Sequence, residues 1–472
     1  MSRLPVTPAE FRQLAERVTD LAARELEQLN ELPTFPATNG ARTLEAFDGP
    51  APAQGLGASA FDALEAVVAH SRPPSPRFYG YVLGSGEPVA ALGDMLASVL
   101  NQNVTAWRSA PAAVTIERTV VRWLAEAIGC PGYTGSLTGG GSSANLMGLA
   151  MAREAKAPAN DTGVQPGTFY ASTEAHMSIP KAIALLGLGH KSLRLVAVDD
   201  NFRMIPEALA EAISQDVKGG YRPIAVIGSG GTVSTGSIDP LRDIGEIAHQ
   251  HGAWFHVDGA YGVLAAMAAP EKFDGLDLAD SLSLDAHKWL YQPVDCGCLL
   301  YRDPVAAQKA FSHSGDYARA LSSDPIEGFA FFEESMELSR RFRALKIWLS
   351  LRYHGMDAFR ASIARDMELA RHLEDSIRAH PALEMMAPVE LSAVCFRFTG
   401  GENLPLPEDE LNRINAALLR RIIARGRVYI SNATIDTRFV LRACIVNHRA
   451  TASDVDLVIS ETLAAAAEVM RA

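Results

Sequence analysis

Three features of the sequence could do chemistry together: a lysine just after a strand-like run, an acid at the end of an earlier run, and a glycine turn opening a helix. The segment from Asp280 to Trp289 places His287 and Lys288 beyond apolar residues. Burial there would favour a neutral amine able to attack an aldehyde, whereas most lysines in such a place are solvated surface residues. Trp254 to Asp258 reads as an apolar strand ending in an acid, followed by the small residues Gly259 and Ala260. A carboxylate buried at a strand end needs a strong partner such as a metal, a cation or a protonated ring nitrogen. His249, His251 and His256 lie near Asp258 in sequence, but their spacing matches no zinc pattern. They read as structural, and no metal is expected.

The run Leu137 to Ala150 contains Gly139, Gly140 and Gly141, then Ser142 and Ser143, and passes directly into a helical pattern. Glycines let backbone N–H groups approach an anion, and a helix N-terminus adds a favourable dipole, so this is a candidate phosphate cradle. Gly139, Gly141 and Ala144 also fit a relaxed dinucleotide fingerprint, with Asp161 at the distance of its acidic residue. A nicotinamide-binding loop and a tightly packed helix cap therefore stand beside the phosphate cradle as readings.

These residues need a scaffold, and the pattern supplies one. Apolar positions recur at helical spacing over about 7–30, and residues 32–56 read as an extended arm without a sustained period. Helical patterns return at about 60–70 and 88–128. Short β-rich runs follow at Thr168–Ser172, Leu193–Val198, Pro223–Gly228, Ala253–Val257, Ser281–Leu284 and Gly297–Tyr301, with helices such as Pro206–Val217 and Asp239–His251 between them. Such alternation predicts an α/β fold with a mostly parallel sheet, whose ligands bind beyond the carboxyl ends of the strands. After about 345 a long helix (Met356–Ala379), a strand (Val394–Phe398), a helix (Glu408–Arg425), a strand (Arg438–Ile445) and a last helix from Ala452 predict a smaller α+β domain. The expected division is an N-terminal helical and arm segment over 1–87, a large domain over 88–345 and a small domain over 346–472.

The chain has 472 residues, of which 48% are hydrophobic and 21% charged, enough apolar content to exclude a disordered or fibrous protein. Its 43 Lys+Arg against 55 Asp+Glu give a net charge of −12, which disfavours nucleic acid as a partner. Neither a secretory signal nor a membrane-spanning run is read in the sequence, and the cytoplasm is expected. The cysteines Cys130, Cys296, Cys298, Cys395 and Cys444 are few and odd in number, which fits reduced, buried thiols.

Taken together, the glycine turn, Asp258 and the His287-Lys288 pair resemble the fold-type-I (aspartate aminotransferase-like) pyridoxal-phosphate enzymes, specifically the group II amino-acid decarboxylases that include aromatic L-amino-acid decarboxylase. The resemblance runs from about residue 70 to 450. Thr173 to His176 resembles the family segment whose histidine stacks on the cofactor, and Gly231 to Gly236 its threonine-bearing loop with Thr232. Leu338 to Lys346 and Arg438 to Arg442 resemble further family segments.

The resemblance implies that Lys288 forms the Schiff base with pyridoxal 5'-phosphate, that Asp258 keeps the ring nitrogen protonated, and that His176 stacks on the ring. It implies a phosphate site at Gly140, Gly141 and Ser142, with Thr232, Ala260, Asp285 and His287 as further cofactor contacts. It also implies a homodimer with sites at the interface, and a loop tyrosine, here Tyr317, that reprotonates Cα and favours amine over aldehyde. Asp285-Ala286 stands where the aromatic decarboxylases have Asn-Pro, so an acid near phosphate needs a donor or a backbone-only contact. Tyr81, Thr105 and Arg108 are the expected substrate contacts. Arg108 pairs either with an acidic substrate side chain or with an interface carboxylate. The expected reaction is decarboxylation of an L-amino acid, aromatic in the first instance. An aldehyde synthase, aminotransferase or lyase of the same fold, a nicotinamide oxidoreductase and a non-catalytic cofactor-binding scaffold are the alternatives.

Overall fold

The computed structural model describes residues 4, 6–313, 324–400 and 406–471. Seven strands form the larger sheet: β1 (Thr134–Thr138), β2 (Thr168–Ser172), β3 (Leu193–Val196), β4 (Pro223–Ser229), β5 (Trp254–Asp258), β6 (Ser281–Asp285) and β7 (Gly297–Tyr301), in the order β1-β7-β6-β5-β4-β2-β3. The strands are parallel except β7, which runs antiparallel to both neighbours. The carboxyl ends of β1, β2, β4, β5 and β6 therefore share one edge. Every residue of β2, β5, β6 and β7 is buried, as expected for a sheet covered on both faces.

The smaller sheet contains β8 (Leu383–Met385), β9 (Ala393–Phe398), β10 (Ser431–Ile435) and β11 (Arg438–Cys444), antiparallel in the order β10-β11-β9-β8. Its core is Leu373, Ile377, Val394, Phe396, Leu418, Ile422, Leu441 and Val458 among others. Helix Met356–Arg378 serves both cores: Phe359, Ile363 and Met367 pack with the large sheet's cluster, Leu369, Ala370, Leu373 and Ile377 with the small one. Tyr79, from the segment ahead of the large sheet, is fully buried in the small core. Its backbone donates to Tyr429 O at 2.7 Å and accepts from Cys444 N at 2.9 Å.

Three strands escape the periodicity argument. β1 and β10 each carry a single large apolar residue, Leu137 and Ile435, among small and polar ones, and β8 has three residues. They are strands because a neighbour offers a hydrogen-bonding edge, which is tertiary information. In the 32–56 arm, Gly40–Phe47 is a helix, capped by the Asn39 side chain accepting from Arg42 N at 3.0 Å. That cap is a local signal of helix initiation. Among the described residues no helix is long and apolar enough to cross a membrane.

Candidate active site

At the shared carboxyl edge lies a cavity of about 610 Å³. β1 delivers the glycine turn to it. Gly140 has φ +139°, a conformation closed to side chains, and helix Gly141–Lys156 begins at the next residue. A Cβ on Gly141 would sit 2.6 Å from Ala260 Cβ and 3.1 Å from Asp285 Oδ2, so only glycine fits between β5 and β6 there. Beneath the turn, buried Arg340 pairs with buried Glu117 and donates to Leu137 O at 2.9 Å. Lys346 Nζ holds Asp94 Oδ2 and Pro293 O, both at 2.9 Å. The segment Leu338 to Lys346 thus supports the site from below.

β5 ends in Asp258, whose Oδ1 accepts from Ser283 Oγ at 3.1 Å and Ala260 N at 3.3 Å. β6 ends in Asp285, and one helical turn later Lys288 Nζ lies 2.9 Å from Asp285 Oδ2. His287 Nε2 is 3.6 Å from the same oxygen, and burial pushes the His287 imidazole below its ordinary range. Asp285 Oδ1 is buried without a partner. The acid at this departure from the family pattern is thus balanced by the lysine it precedes. Gly84 closes on the same turn: a Cβ there would meet His287 O at 2.3 Å and Lys288 O at 2.6 Å.

The cavity brings together Tyr81, Gly140, Gly141, Ser142, His176, Asp258, Ala260, Asp285, His287 and Lys288, each expected at the site from sequence. Three expected residues lie elsewhere. Thr232 is buried, its Oγ1 engaged with Thr235 Oγ1 at 2.9 Å and Ser237 N at 3.1 Å, and its neighbours Gly231, Val233 and Ser234 line the cavity instead. Thr105 does not line the cavity. Arg108, also outside it, lies 3.4 Å from Glu327 with both side chains partly exposed. Tyr317 falls outside the described residues.

Among the lining residues without a role assigned from sequence are Arg442 and Asn145. Arg442, on β11, is 3% exposed; its Nε donates to Ser234 O at 2.9 Å and its Nη1 to Tyr81 O at 3.0 Å, while Nη2 is buried without a partner. Asn145 lines the cavity from the first turns of the glycine-capped helix. A polar residue in the apolar stripe of that helix was the available signal. The histidines near Asp258 are separated: His249 lies 3.3 Å from Asp280, and His256 bonds Ser281 and Asn145. Among the described residues no three metal-ligating side chains converge. All five cysteines are free and buried.

The donor set suits pyridoxal phosphate. A side-chain-free turn at a helix N-terminus accepts a phosphate, an amine beside the cavity accepts an aldehyde, and a strand-end carboxylate faces a protonated ring nitrogen. The fold and these residues define a fold-type-I pyridoxal-phosphate enzyme. The chain belongs to the pyridoxal-dependent decarboxylases: the family's conserved domain matches residues 44–399. It is a carboxy-lyase that uses pyridoxal phosphate to decarboxylate an amino acid. It is 34% identical over 397 residues to an aromatic-L-amino-acid decarboxylase of Bacillus atrophaeus, covering 84% of this chain and 82% of that protein. A phenylacetaldehyde synthase of Petunia hybrida is 32% identical over 79% of this chain and 76% of its own length. The crystal structure of Oryza sativa TDC with PLP and tryptamine superposes with a TM-score of 0.92 at 25% identity, covering 99% of this chain and all of that one. Membership in this family replaces the nicotinamide reading. In the structure Asp161 lies in an exposed turn ahead of β2, not at the end of the following strand where a ribose contact belongs.

Proposed function

We propose that this enzyme decarboxylates an aromatic L-amino acid to its amine, with Lys288 as the covalent anchor of the cofactor. The observation that carries the reading is the convergence of Lys288, Asp258 and Arg442 on one cavity. Bound pyridoxal phosphate supplies an electron sink for the pair left at Cα when carbon dioxide departs. Gly140, Gly141 and Ser142 hold the phosphate through backbone and hydroxyl donors, with Ala260, Asp285 and His287 beside them. The Asp258 carboxylate, held at Oδ1, would keep a proton on the cofactor's ring nitrogen, and His176 would pack against the ring. Lys288 would hold the cofactor's aldehyde carbon through its amine. Arg442, in the cavity wall, pairs with a carboxylate oxygen of the amino acid.

The aromatic side chain is supported by the wall at the cavity mouth. Tyr81 Oη lies 3.2 Å from Tyr429 Oη, and Tyr429 stacks on Phe78 with ring centroids 4.5 Å apart. The names of the relatives point the same way. Tyr317 is the proton donor to Cα, which selects amine over aldehyde. The protein works as a homodimer in the reducing cytoplasm, with Thr105 and Arg108 of one copy completing the site of the other. Exposed apolar side chains on helix Pro88–Leu100 and free buried thiols support these two assignments.

Mass spectrometry of products from the loaded enzyme and a mixture of L-amino acids tests the activity. An aromatic amine with matching carbon dioxide is expected, and an aldehyde with ammonia would move the chain to the aldehyde synthases. Borohydride should fix the cofactor to Lys288 in the wild type and leave Lys288→Ala unlabelled; a label elsewhere would refute the anchor. Tyr317→Phe should convert amine to aldehyde production.

A further inference from the structure

Behind His176 runs a line of hydrogen bonds that the reaction itself does not use. His176 Nδ1 lies 2.8 Å from Ser178 Oγ and 3.2 Å from Ser178 N. A backbone N–H only donates, so Nδ1 is an acceptor and neutral His176 carries its proton on Nε2. Ser178 Oγ receives Asn145 Nδ2 at 2.9 Å, which leaves the hydroxyl proton for His176. Asn145 Oδ1 lies 3.0 Å from His256 Nε2, which must donate. His256 Nδ1 then accepts from Ser281 Oγ at 2.8 Å, and Ser281 Oγ receives the indole N–H of Trp254 at 2.8 Å.

Both ends of this line have a fixed sense, because the indole nitrogen and the Ser178 amide can only donate. The reversed Asn145 amide would leave the Ser281 hydroxyl proton unplaced and turn the Ser178 hydroxyl away from His176. Asn145, Ser178, His256 and Ser281 are at most 3% exposed, so water does not complete alternative pairings. Burial lowers His256 to about 4, which keeps it neutral in its place in the line.

We propose that Asn145, Ser178 and His256 are positioning residues that lock His176 as the neutral Nε2–H tautomer, with its N–H turned to the cavity. The lock matters because Asp258 is read here as keeping the cofactor ring protonated. An imidazolium stacked on that ring would be repelled, whereas a neutral imidazole offers an uncharged face and one donor. Lys288, His287, Arg442, Asp258 and Asp285 line the same cavity, and Glu174 lies two residues before His176; none is altered by the variants below.

The inference rests on the proposed site only for its consequence, since the tautomer can be read without turnover. In holoenzyme carrying 15N-labelled histidine, the His176 signals are identified as those lost in His176→Gln. The wild type should show protonated Nε2 and bare Nδ1 at neutral pH. Ser178→Ala removes one of the two donors to Nδ1 and should let the Nδ1–H tautomer appear, read as the 15N shifts of the two ring nitrogens moving towards each other. Ser178→Thr should restore the wild-type shifts. Asn145→Asp makes the Ser178 hydroxyl donate away from His176 and should move the two 15N shifts at least as far. A protonated Nδ1 in the neutral wild-type ring, or unmoved 15N shifts in Ser178→Ala, would overturn the proposal even if Asn145→Asp fails to fold. A wild-type enzyme with the expected tautomer but no decarboxylation would keep the lock and refute the activity.

Discussion

Lys288, partly buried, and Arg442, buried, illustrate two ways in which a cation is made useful. Lys288 sits 2.9 Å from Asp285, which balances its charge until a carbonyl takes the nitrogen. Arg442 has two of its nitrogens committed to backbone carbonyls and one left unpaired. A fixed guanidinium with an open donor is pre-organised for a carboxylate. Arg442→Gln should therefore reduce kcat/KM by about 10- to 150-fold, the equivalent of a charged hydrogen bond of about 1.5–3 kcal/mol. The loss should fall mainly on KM, as measured by initial rates of carbon dioxide release, with cofactor absorbance retained. An unchanged KM would remove Arg442 from the substrate site.

At the scale of elements, the site depends on strand ends brought within a methyl group of each other. Gly141→Ala places a carbon 2.6 Å from Ala260 Cβ, and overpacking of this kind costs about 1–3 kcal/mol. Thermal unfolding should show that loss, and dialysis should show faster release of cofactor. A second connection joins the lysine turn to the C-terminal region. Asp366, on helix Met356–Arg378, receives Trp289 Nε1 at 2.9 Å, Tyr291 Oη at 2.8 Å and Asn447 N at 3.1 Å, all on Oδ2. Burial raises its carboxyl to about 7, against the pull of these donors. The native state therefore holds a proton that the unfolded chain releases near pH 4, and this group's contribution to stability falls as pH rises from about 4 to about 7. Asp366→Asn keeps an acceptor oxygen but cannot ionise. Its Tm should fall less than that of the wild type between about pH 5 and about pH 8, and parallel curves would contradict the assignment.

For the whole molecule, the informative surface is apolar. Leu92, Met95, Leu96, Val99 and Leu100 on helix Pro88–Leu100 are each 42–57% exposed. Helix Pro8–Glu27 buries none of its residues within this chain, although Phe11 and Val18 lie on it. Contiguous apolar faces of this kind mark contacts with another chain, and a second copy is the partner proposed here. Sedimentation should give twice the 50.6 kDa chain mass, and Leu96→Glu with Val99→Glu should shift the enzyme towards monomer with loss of activity. A fully active monomer would show that each chain's site is complete.

Local order along the chain made the chemistry legible. Lys288, Asp258, His176 and the glycines each end or follow a strand, and a parallel sheet places all such positions on one edge. The two-sheet architecture was legible for the same reason, because buried strands and amphipathic helices carry their periods locally. Contacts between distant residues were decided only by packing. Arg442 meets Tyr81 across 361 positions, and His256 meets Asn145 across 111. Thr232 lies at the expected strand end, yet its hydroxyl is taken by Thr235 and Ser237. A residue's type and place in an element are written in sequence, whereas the direction of its side chain and the polar groups that meet it arise only when separate elements are packed together.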